Sequence, residues 1–340
     1  MEYIAYSIFY FATLFFIIKP VDYNKTYFKI IWFSVAFFYS LSIRLDILSL
    51  VNGDLPNYIR IMQLDEISFN IPIFQREFIF FNLTRYLYNL FENPAIVFII
   101  LDLILYFFLY KSLSTFFNIN CAKIKPKNFS YVFFLILLFF PFYFGMNNMY
   151  RQLFGIMFLL NSLNFIHLKK YYSGLFFFII SIFIHNSFLL FLPLIMLMFN
   201  NKFMNFISYL SLAFFAIIFT AVLQIEDGYI NRGISLEIEI GENISQYIFY
   251  VLIIMSIIYQ IIKSKVKFEN NFFNNFLIIN TAIYSVLMVN LSSLSSYRIS
   301  LAIFFLLIPY FILLVENSFK QMILARIIFF HLSLFPLLIL

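Results

Sequence analysis

The chain has 340 residues, of which 64% are hydrophobic and 11% are charged, whereas a soluble domain is about half apolar and about a quarter charged. This composition excludes a water-soluble globular protein and predicts that the chain lies in a lipid bilayer, with no nucleic acid as partner. One cysteine, Cys121, and three histidines exclude an internal disulfide and argue against a thiolate metal site, so no metal and no cofactor are expected.

The first apolar stretch carries Glu2 in place of a basic leader and runs to Lys19 without a small-residue cleavage site. It is therefore expected to be a retained helix and not a signal peptide. A helix needs about 17 to 25 mostly apolar residues to cross a bilayer. The stretches that meet or approach this length are 3–18, 28–43, 94–112, 129–145, 150–168, 205–223, 246–262, 271–290, 299–315 and 326–340. The expected fold is an all-α, polytopic integral membrane protein in which residues 1–340 form one transmembrane domain with about ten spans.

Two segments depart from simple spans. Residues 44–93 form a predicted outer loop, in which the amphipathic stretch 77–93 with Arg85 indicates a helix lying at the membrane interface. Residues 173–199 are either one long span or two half-helices that meet near His185 and Asn186. Cytoplasmic loops collect lysine and arginine, and only a re-entrant hairpin at 173–199 keeps the later lysines inside and the acidic loop 224–245 outside. We therefore predict the hairpin, with the N-terminus outside.

In this predicted topology lysines and most arginines lie on different sides of the membrane. All 14 lysines fall on the cytoplasmic side, whereas Arg326 is the one arginine of eight that does so. Arginine has a planar fork of donors that grips phosphate or carboxylate in two places, which favours anion binding at the outer face. The alternative is that the outer arginines pair with outer acids such as Asp46, Asp54 and Glu77. The seven outer arginines are Arg44, Arg60, Arg76, Arg85, Arg151, Arg232 and Arg298.

The string NNMYRQ, Asn147 to Gln152, opens the fifth predicted span. Asn148, Arg151 and Gln152 are spaced i, i+3 and i+4, so they share one helical face at the membrane boundary. The helix N-terminus adds free backbone donors and a partial positive charge, and the face is therefore suited to an anion. The alternative is an arginine that reaches the lipid headgroups while the two amides cap the helix.

Ionisable residues at membrane depth cost free energy and usually face a cavity or a partner. His185, in the string FIHNSFLLFLP, is therefore a candidate site residue, and the alternative is a neutral histidine hydrogen-bonded within the bundle. Asp102 stands alone in the middle of a span and is interpreted as bonded within the bundle in preference to a proton relay. His167 and His331 lack polar neighbours in the sequence and are interpreted as structural.

Further candidates border the outer membrane face. Arg298 follows the serine-rich string LSSLSSY, and Arg76 and Glu77 open the interfacial helix in FQREFIFFNLTRY. The string DLPNY, Asp54 to Tyr58, places two polar groups one turn apart if it is helical.

These strings resemble the EpsG family of membrane proteins, which is related in role to the Wzy polymerases of O-antigen and capsule. The most specific element of the resemblance is Arg151 and Gln152 at a helix start, followed further along by His185 before a serine and Leu-Pro. The family's usual Gly-Thr-Asp in the first outer loop is here Asn-Gly-Asp at residues 52–54, which is a departure. The other matching positions are Arg44, Asp54 to Tyr58, Glu77, Ser187, Leu192, Pro193, Arg298 and Pro309.

The resemblance implies a glycosyltransferase of the bacterial cytoplasmic membrane with its active site on the outer, periplasmic side. Such an enzyme moves a growing glycan from undecaprenyl diphosphate to a sugar hydroxyl of another lipid-linked repeat unit, without a metal. Its expected partners are the undecaprenyl-diphosphate-linked oligosaccharide, a flippase and a chain-length regulator. The alternatives are a lipid-linked oligosaccharide flippase and a membrane acyltransferase of surface polysaccharide synthesis.

Roles for individual residues follow from this implied activity. Arginines at the outer boundary suit the diphosphate leaving group, and a general base must reach the acceptor hydroxyl. The candidate bases are His185 and Glu77. The candidate diphosphate-binding residues are Arg44, Asn148, Arg151, Gln152 and Arg298, and the candidate substrate-binding residues are Asp54, Tyr58, Arg76 and Arg85.

Overall fold

The structure is a computed structural model of the chain. It describes residues 2–45, 54–63, 78–120, 126–138, 145–147, 149–199, 201–211 and 323–328, together with single positions at 142 and between 303 and 331. Every regular element in these ranges is helical and none is a strand, in agreement with the predicted all-α class. The chain divides into two compact units, Met1–Asn186 with Phe319–Leu340 and Ser187–Ser318, and each is described by itself.

The first unit contains α1 to α8 and the second begins within the segment that leads to α9. Two 3-10 helices, Pro126–Phe129 and Asn186–Phe191, precede α6 and α9 respectively. Residues 202–211 and 323–328 are also helical. The α-helices are α1 (Glu2–Ile18), α2 (Thr26–Arg44), α3 (Asp54–Gln63), α4 (Phe78–Phe91), α5 (Pro94–Asn120), α6 (Ser130–Leu138), α7 (Tyr150–His167), α8 (Tyr171–Ile184) and α9 (Leu192–Leu197).

Apolar helices of membrane-spanning length are present in the described part of the chain. Two of them, Thr26–Arg44 and Pro94–Ile119, are long and apolar enough to cross a bilayer. Shorter apolar helices cover Tyr6–Ile18, Tyr171–Ile184 and Asn186–Leu197. These helices agree with the membrane protein that the composition predicts.

The helix bounds match several predicted spans and correct one. α1, α2 and α7 agree with the predicted spans 3–18, 28–43 and 150–168 to within two residues. α5 continues to Asn120, well beyond the predicted end at 112, because no proline or glycine interrupts the chain before Pro126. The predicted spans 246–262 and 271–290 and the acidic loop 224–245 lie outside the described residues.

The predicted interfacial helix corresponds to α4. Phe80 and Thr84, one turn apart, are buried, whereas Tyr86 and Leu90 on another face are exposed. This two-sided burial is the pattern that an amphipathic helix needs to lie against the bundle. The preceding DLPNY string is helical, as it begins α3, so Asp54 and Tyr58 lie one turn apart along the helix.

One end of the first unit collects the turns that carry lysine. The backbone N–H of Val21 donates to Ser130 Oγ at 3.2 Å, and Tyr23 Oη donates to Asn118 Oδ1 at 2.8 Å. The turn between α1 and α2 therefore lies beside the end of α5 and the start of α6. The Lys111 ammonium lies 5.6 Å from the Phe165 ring centroid, which brings the end of α7 to the same end. We call this region, residues 19–25, 118–120, 126–130 and 165–170, the lysine end.

The turn between α7 and α8 closes this end tightly. Lys169 has φ 61°, and the Lys170 N–H donates to the Phe165 carbonyl at 2.9 Å while the Lys169 N–H donates to the Ile166 carbonyl at 2.8 Å. This is a Schellman-type helix end with lysine in the position that usually holds glycine. Gly174 then allows α8 to touch α7, because a Cβ added there would lie 2.3 Å from Ile166 Cγ1.

The helix break predicted near His185 and Asn186 is present. α8 ends at Ile184, and His185 is extended, with φ −152° and ψ 117°. The chain continues as a 3-10 helix from Asn186. The boundary between the two units falls at the same point, and the re-entrant hairpin remains a prediction.

Candidate functional site

A buried ion pair occupies the end of the first unit opposite to the lysine end. Arg44, the last residue of α2, and Asp102 of α5 both have 0% side-chain exposure. The guanidinium grips the carboxylate in two places, with Arg44 Nε 2.9 Å from Asp102 Oδ2 and Nη2 3.2 Å from Oδ1. Asp102 lies 16 residues before Asn118 on α5, so about 24 Å of helix separates this pair from the lysine end.

Neighbouring groups complete the surroundings of the Asp102 carboxylate. Ser40 Oγ donates to Oδ2 at 2.6 Å, and Tyr150 Oη donates to Oδ1 at 2.7 Å. Arg44 Nη2 also donates to the Met146 carbonyl at 3.1 Å. The guanidinium carbon lies 5.4 Å from the Phe98 ring centroid and 5.1 Å from that of Tyr150. Such partners are what offset the several kcal/mol that burying two charges costs.

The second cation of this end, Arg151, is held by aromatic rings. Its Nε donates to Tyr58 Oη at 3.0 Å. Its guanidinium carbon lies 5.0 Å from the ring centroid of Tyr58 and 5.0 Å from that of Phe81. Tyr58 is buried in α3, whereas Arg151 remains partly exposed. We call Arg151, Tyr58 and Phe81 the arginine clamp.

The ion pair and the clamp are neighbours in both sequence and space. Tyr150, which donates to Asp102, directly precedes Arg151 at the start of α7. The Phe80 ring packs edge-on against Tyr150 at 6.1 Å and against Tyr58 at 5.5 Å between centroids. We call the region of these residues, together with Arg44 and Asp102, the arginine end.

The structure brings some predicted site residues together and separates others. Tyr58 meets Arg151, so a predicted substrate-binding residue contacts a predicted diphosphate-binding residue. Gln152 is buried next to Arg151, and Arg85 is half-buried on α4. His185 is half-buried at the end of α8. Arg76, Glu77, Asn148 and Arg298 lie outside the described residues, as does the side chain of Asp54.

Arg44 is placed differently from the other candidates. It was expected among the residues that bind diphosphate, yet its side chain is fully buried and is committed to Asp102. The structure therefore assigns it an internal partner in place of a surface that a ligand reaches directly. Its Nη1 atom has no hydrogen-bond partner among the described residues.

Asp102 belongs to the arginine end but is not among the site residues predicted from the sequence. Its assignment as bonded within the bundle is confirmed by Ser40 and Tyr150, but the view that it stands alone is wrong because it pairs with Arg44. A signal was available: a carboxylate in the middle of a span requires a partner, and an arginine ends the span just before the first outer loop.

The structure also bears on His331 and on groups that could bind a metal. His331 has polar neighbours after all, since Tyr10 Oη lies 3.2 Å from its Nε2 and the Ile327 carbonyl lies 2.8 Å from its Nδ1. These contacts fit its interpretation as a structural residue. Within the described residues no group of three or more His, Cys, Asp or Glu side chains could hold a metal ion.

Apolar helices around a buried, charged end define a helical membrane protein with an arginine-bearing site. The chain belongs to the EpsG family, whose sequence profile matches residues 29–339. The match contains Arg44, Asp102, Arg151 and His185. Membership associates the chain with glycosyltransferase-type polymerases of surface polysaccharide synthesis. No curated protein and no solved structure matches the chain.

Proposed function

We propose that this protein polymerises lipid-diphosphate-linked oligosaccharide repeat units on the outer face of the bacterial cytoplasmic membrane. The observation that carries the proposal is the arginine clamp. A partly exposed arginine is fixed by a hydrogen bond and by two rings at the end of the first unit opposite to the lysine end. An arginine with a fixed direction is suited to bind a diphosphate, since its planar fork contacts two oxygens together.

The reaction exchanges one glycosidic bond for another. The bond between the anomeric carbon of the growing glycan and a diphosphate oxygen breaks, and the electron pair leaves with undecaprenyl diphosphate. A hydroxyl oxygen of the acceptor repeat unit forms the new bond to that carbon, and its proton passes to a base. Charge develops on the leaving diphosphate, so a cation positioned there beforehand stabilises the transition state.

The candidate residues take distinct roles in this scheme. Arg151 binds the diphosphate, with Gln152, Asn148 and Arg298 as further ligands. His185 or Glu77 accepts the proton of the acceptor hydroxyl. Sugar-binding roles fall to Asp54, Tyr58, Arg76 and Arg85. Arg44 supports the site from within the bundle through Asp102.

The central experiment replaces Arg151 and measures polymer formation by the purified protein in detergent with a defined lipid-linked repeat unit. Arg151→Lys keeps the charge but loses the fork, and we expect a loss of turnover of about a hundredfold, comparable to the removal of one transition-state donor. Arg60→Lys is the matched control, because Arg60 is exposed on α3, the helix that carries Tyr58 of the clamp, and has no role in the scheme. Equal activity of the two variants would contradict the proposal.

The same assay identifies the base and separates the alternative activities. His185→Ala and Glu77→Gln are compared for turnover and for affinity toward the lipid-linked donor. The variant that has lost the base loses turnover far more than affinity, because the proton moves only during the chemical step. Supplying an acyl donor in place of the lipid-linked sugar, and measuring translocation of the lipid across vesicles, tests the acyltransferase and the flippase. Activity in either of those assays without polymer formation would overturn the proposed function.

A further inference from the structure

We propose that Asp102 is a positioning residue that sets the direction of Arg151 through the hydroxyl of Tyr150. The inference rests on the proposed function, because it concerns how the diphosphate-binding arginine is held. Asp102 lies inside the bundle with no exposed surface, so it acts on the substrate only through other side chains.

The Asp102 carboxylate is held from two helices and has four close donor contacts. Ser40 and Arg44 reach it from α2, and Tyr150 reaches it from α7, with donor to acceptor distances between 2.6 and 3.2 Å. Because each oxygen accepts two of these contacts, the carboxylate has one orientation in which all are made. The position of the Tyr150 hydroxyl is thereby fixed relative to α2 and α5.

The start of α7 depends on these ties. Met149, the residue before the helix, has φ −137° and ψ 42°, and its side chain makes no capping hydrogen bond. The chain entering α7 is held on one side by Arg44 Nη2, which donates to the Met146 carbonyl, and on the other by Tyr150 Oη, which donates to Asp102. The first N–H groups of a helix have no partner within the helix, so the side-chain ties at Met146 and Tyr150 are what hold the start of α7, and Arg151 is the next residue after Tyr150.

The rings carry the same constraint to the other half of the clamp. Phe80 contacts both Tyr150 and Tyr58, and its neighbour Phe81 lies over the Arg151 guanidinium. A shift of Tyr150 therefore displaces both Arg151 and the rings that hold Arg151 in place. Misplacement of a substrate-binding group by about 1 Å lowers catalytic rates by about a hundredfold in other enzymes.

The experiment compares Tyr150 with a second fully buried tyrosine, Tyr106 of α5. Tyr150→Phe keeps the ring and its packing but removes the donor to Asp102. Tyr106→Phe is the matched control, since Tyr106 is fully buried on α5 and its hydroxyl has no hydrogen-bond partner in the part of the chain that the structure describes. Turnover and affinity for the lipid-linked donor are measured, together with amide hydrogen exchange of the peptide that covers residues 146–153.

For Tyr150→Phe we expect turnover to fall about tenfold or more and hydrogen exchange in residues 146–153 to increase, with the protein still folded. Tyr106→Phe is expected to match the wild type in both measurements. Unchanged turnover in Tyr150→Phe, or equal losses in both variants, would overturn the proposal. Increased exchange without loss of turnover would also overturn it, because the start of α7 would then not control the reaction.

A second variant keeps the test decisive should Tyr150→Phe fail to fold. The double change Arg44→Met with Asp102→Leu leaves no unpaired charge, and it removes both the acceptor of the Tyr150 hydroxyl and the tie from Arg44 to the Met146 carbonyl. A turnover about tenfold lower is again expected, and wild-type turnover would overturn the positioning role. Failure of the proposed function is recognised separately: the wild type then forms no polymer, whereas the exchange difference between Tyr150→Phe and Tyr106→Phe persists.

Discussion

The two ends of the first unit bury polar groups in opposite ways. At the arginine end a full positive and a full negative charge, Arg44 and Asp102, lie at 0% exposure. At the lysine end Lys19, Lys25 and Lys169 are exposed. The polar groups that hold the lysine end together are neutral, such as the Tyr23 hydroxyl with Asn118 and the Val21 N–H with Ser130 Oγ at 3.2 Å.

This difference distinguishes the end that stabilises helix packing from the end where we expect function. Neutral hydrogen bonds between membrane helices hold them in register at modest cost. A buried ion pair is weak support for stability, because apolar residues of similar volume often stabilise a protein as well or better. Local features that violate the rules of stable design are found at functional sites. The arginine end is therefore where we expect activity, and the lysine end serves as structural support.

The largest expected effect concerns which end faces the outside. In a background with Cys121→Ala, cysteines are introduced at Asn57 on α3 and at Lys169 in the turn after α7, both of which are exposed. The predicted topology places Asn57 outside and Lys169 inside. An impermeant thiol reagent applied to intact cells should label Asn57→Cys fully and Lys169→Cys only after permeabilisation. The reverse pattern would place the arginine end in the cytoplasm and would contradict a site for outward-facing substrates.

The second largest effect concerns the stability of the buried pair. Asp102→Asn leaves the Arg44 charge buried without its counter-charge, which costs about 3 to 5 kcal/mol. We expect a sharp loss of folded protein in the membrane and a lower thermal midpoint in detergent. Adding Arg44→Met to Asp102→Asn removes the unpaired charge and should recover most of that loss. No recovery in the double variant would mean that the pair is itself a main source of stability.

The sequence predicted the helical class, the bounds of α1, α2 and α7 and the break at His185, because each depends on local apolar length and on breaking residues. It also placed Arg151 and Tyr58 among the site residues. It did not predict that Asp102 holds Arg44, nor that rings hold Arg151. Those contacts join residues 58 and 93 positions apart, and no local pattern encodes which side chains meet across helices.

A smaller effect is expected from the tight contact at the lysine end. Gly174→Ala places a Cβ 2.3 Å from Ile166 Cγ1, and overpacking of this kind costs about 1 to 3 kcal/mol. Gly145→Ala is the comparison, since its Cβ would approach Leu153 no closer than 3.2 Å. Thermal unfolding in detergent should show the larger loss for Gly174→Ala, and Ile166→Ala should relieve part of it. A larger loss for Gly145→Ala would contradict the close approach of α7 and α8.

The smallest effect is expected from Tyr23→Phe, which makes at the lysine end the same chemical change that Tyr150→Phe makes at the arginine end. Tyr23 donates to Asn118 Oδ1, and Asn118 is exposed, so water replaces the lost donor. Hydrogen bonds between membrane helices contribute about 0.6 kcal/mol on average, and Tyr23→Phe should lower stability by about that amount. Its turnover should equal that of the wild type, because the lysine end only supports the helices.

The Asp102 carboxylate, which accepts the hydrogen bond from Tyr150, has no exposed surface. Water therefore does not replace the donor that Tyr150→Phe removes. The loss of a hydrogen bond to a buried charge costs about 1.5 to 3 kcal/mol. The ratio of the two effects on the thermal midpoint therefore measures how differently the two ends bury polar groups. Equal effects of the two tyrosine substitutions on stability and on turnover would remove the distinction between a supporting and a functional end.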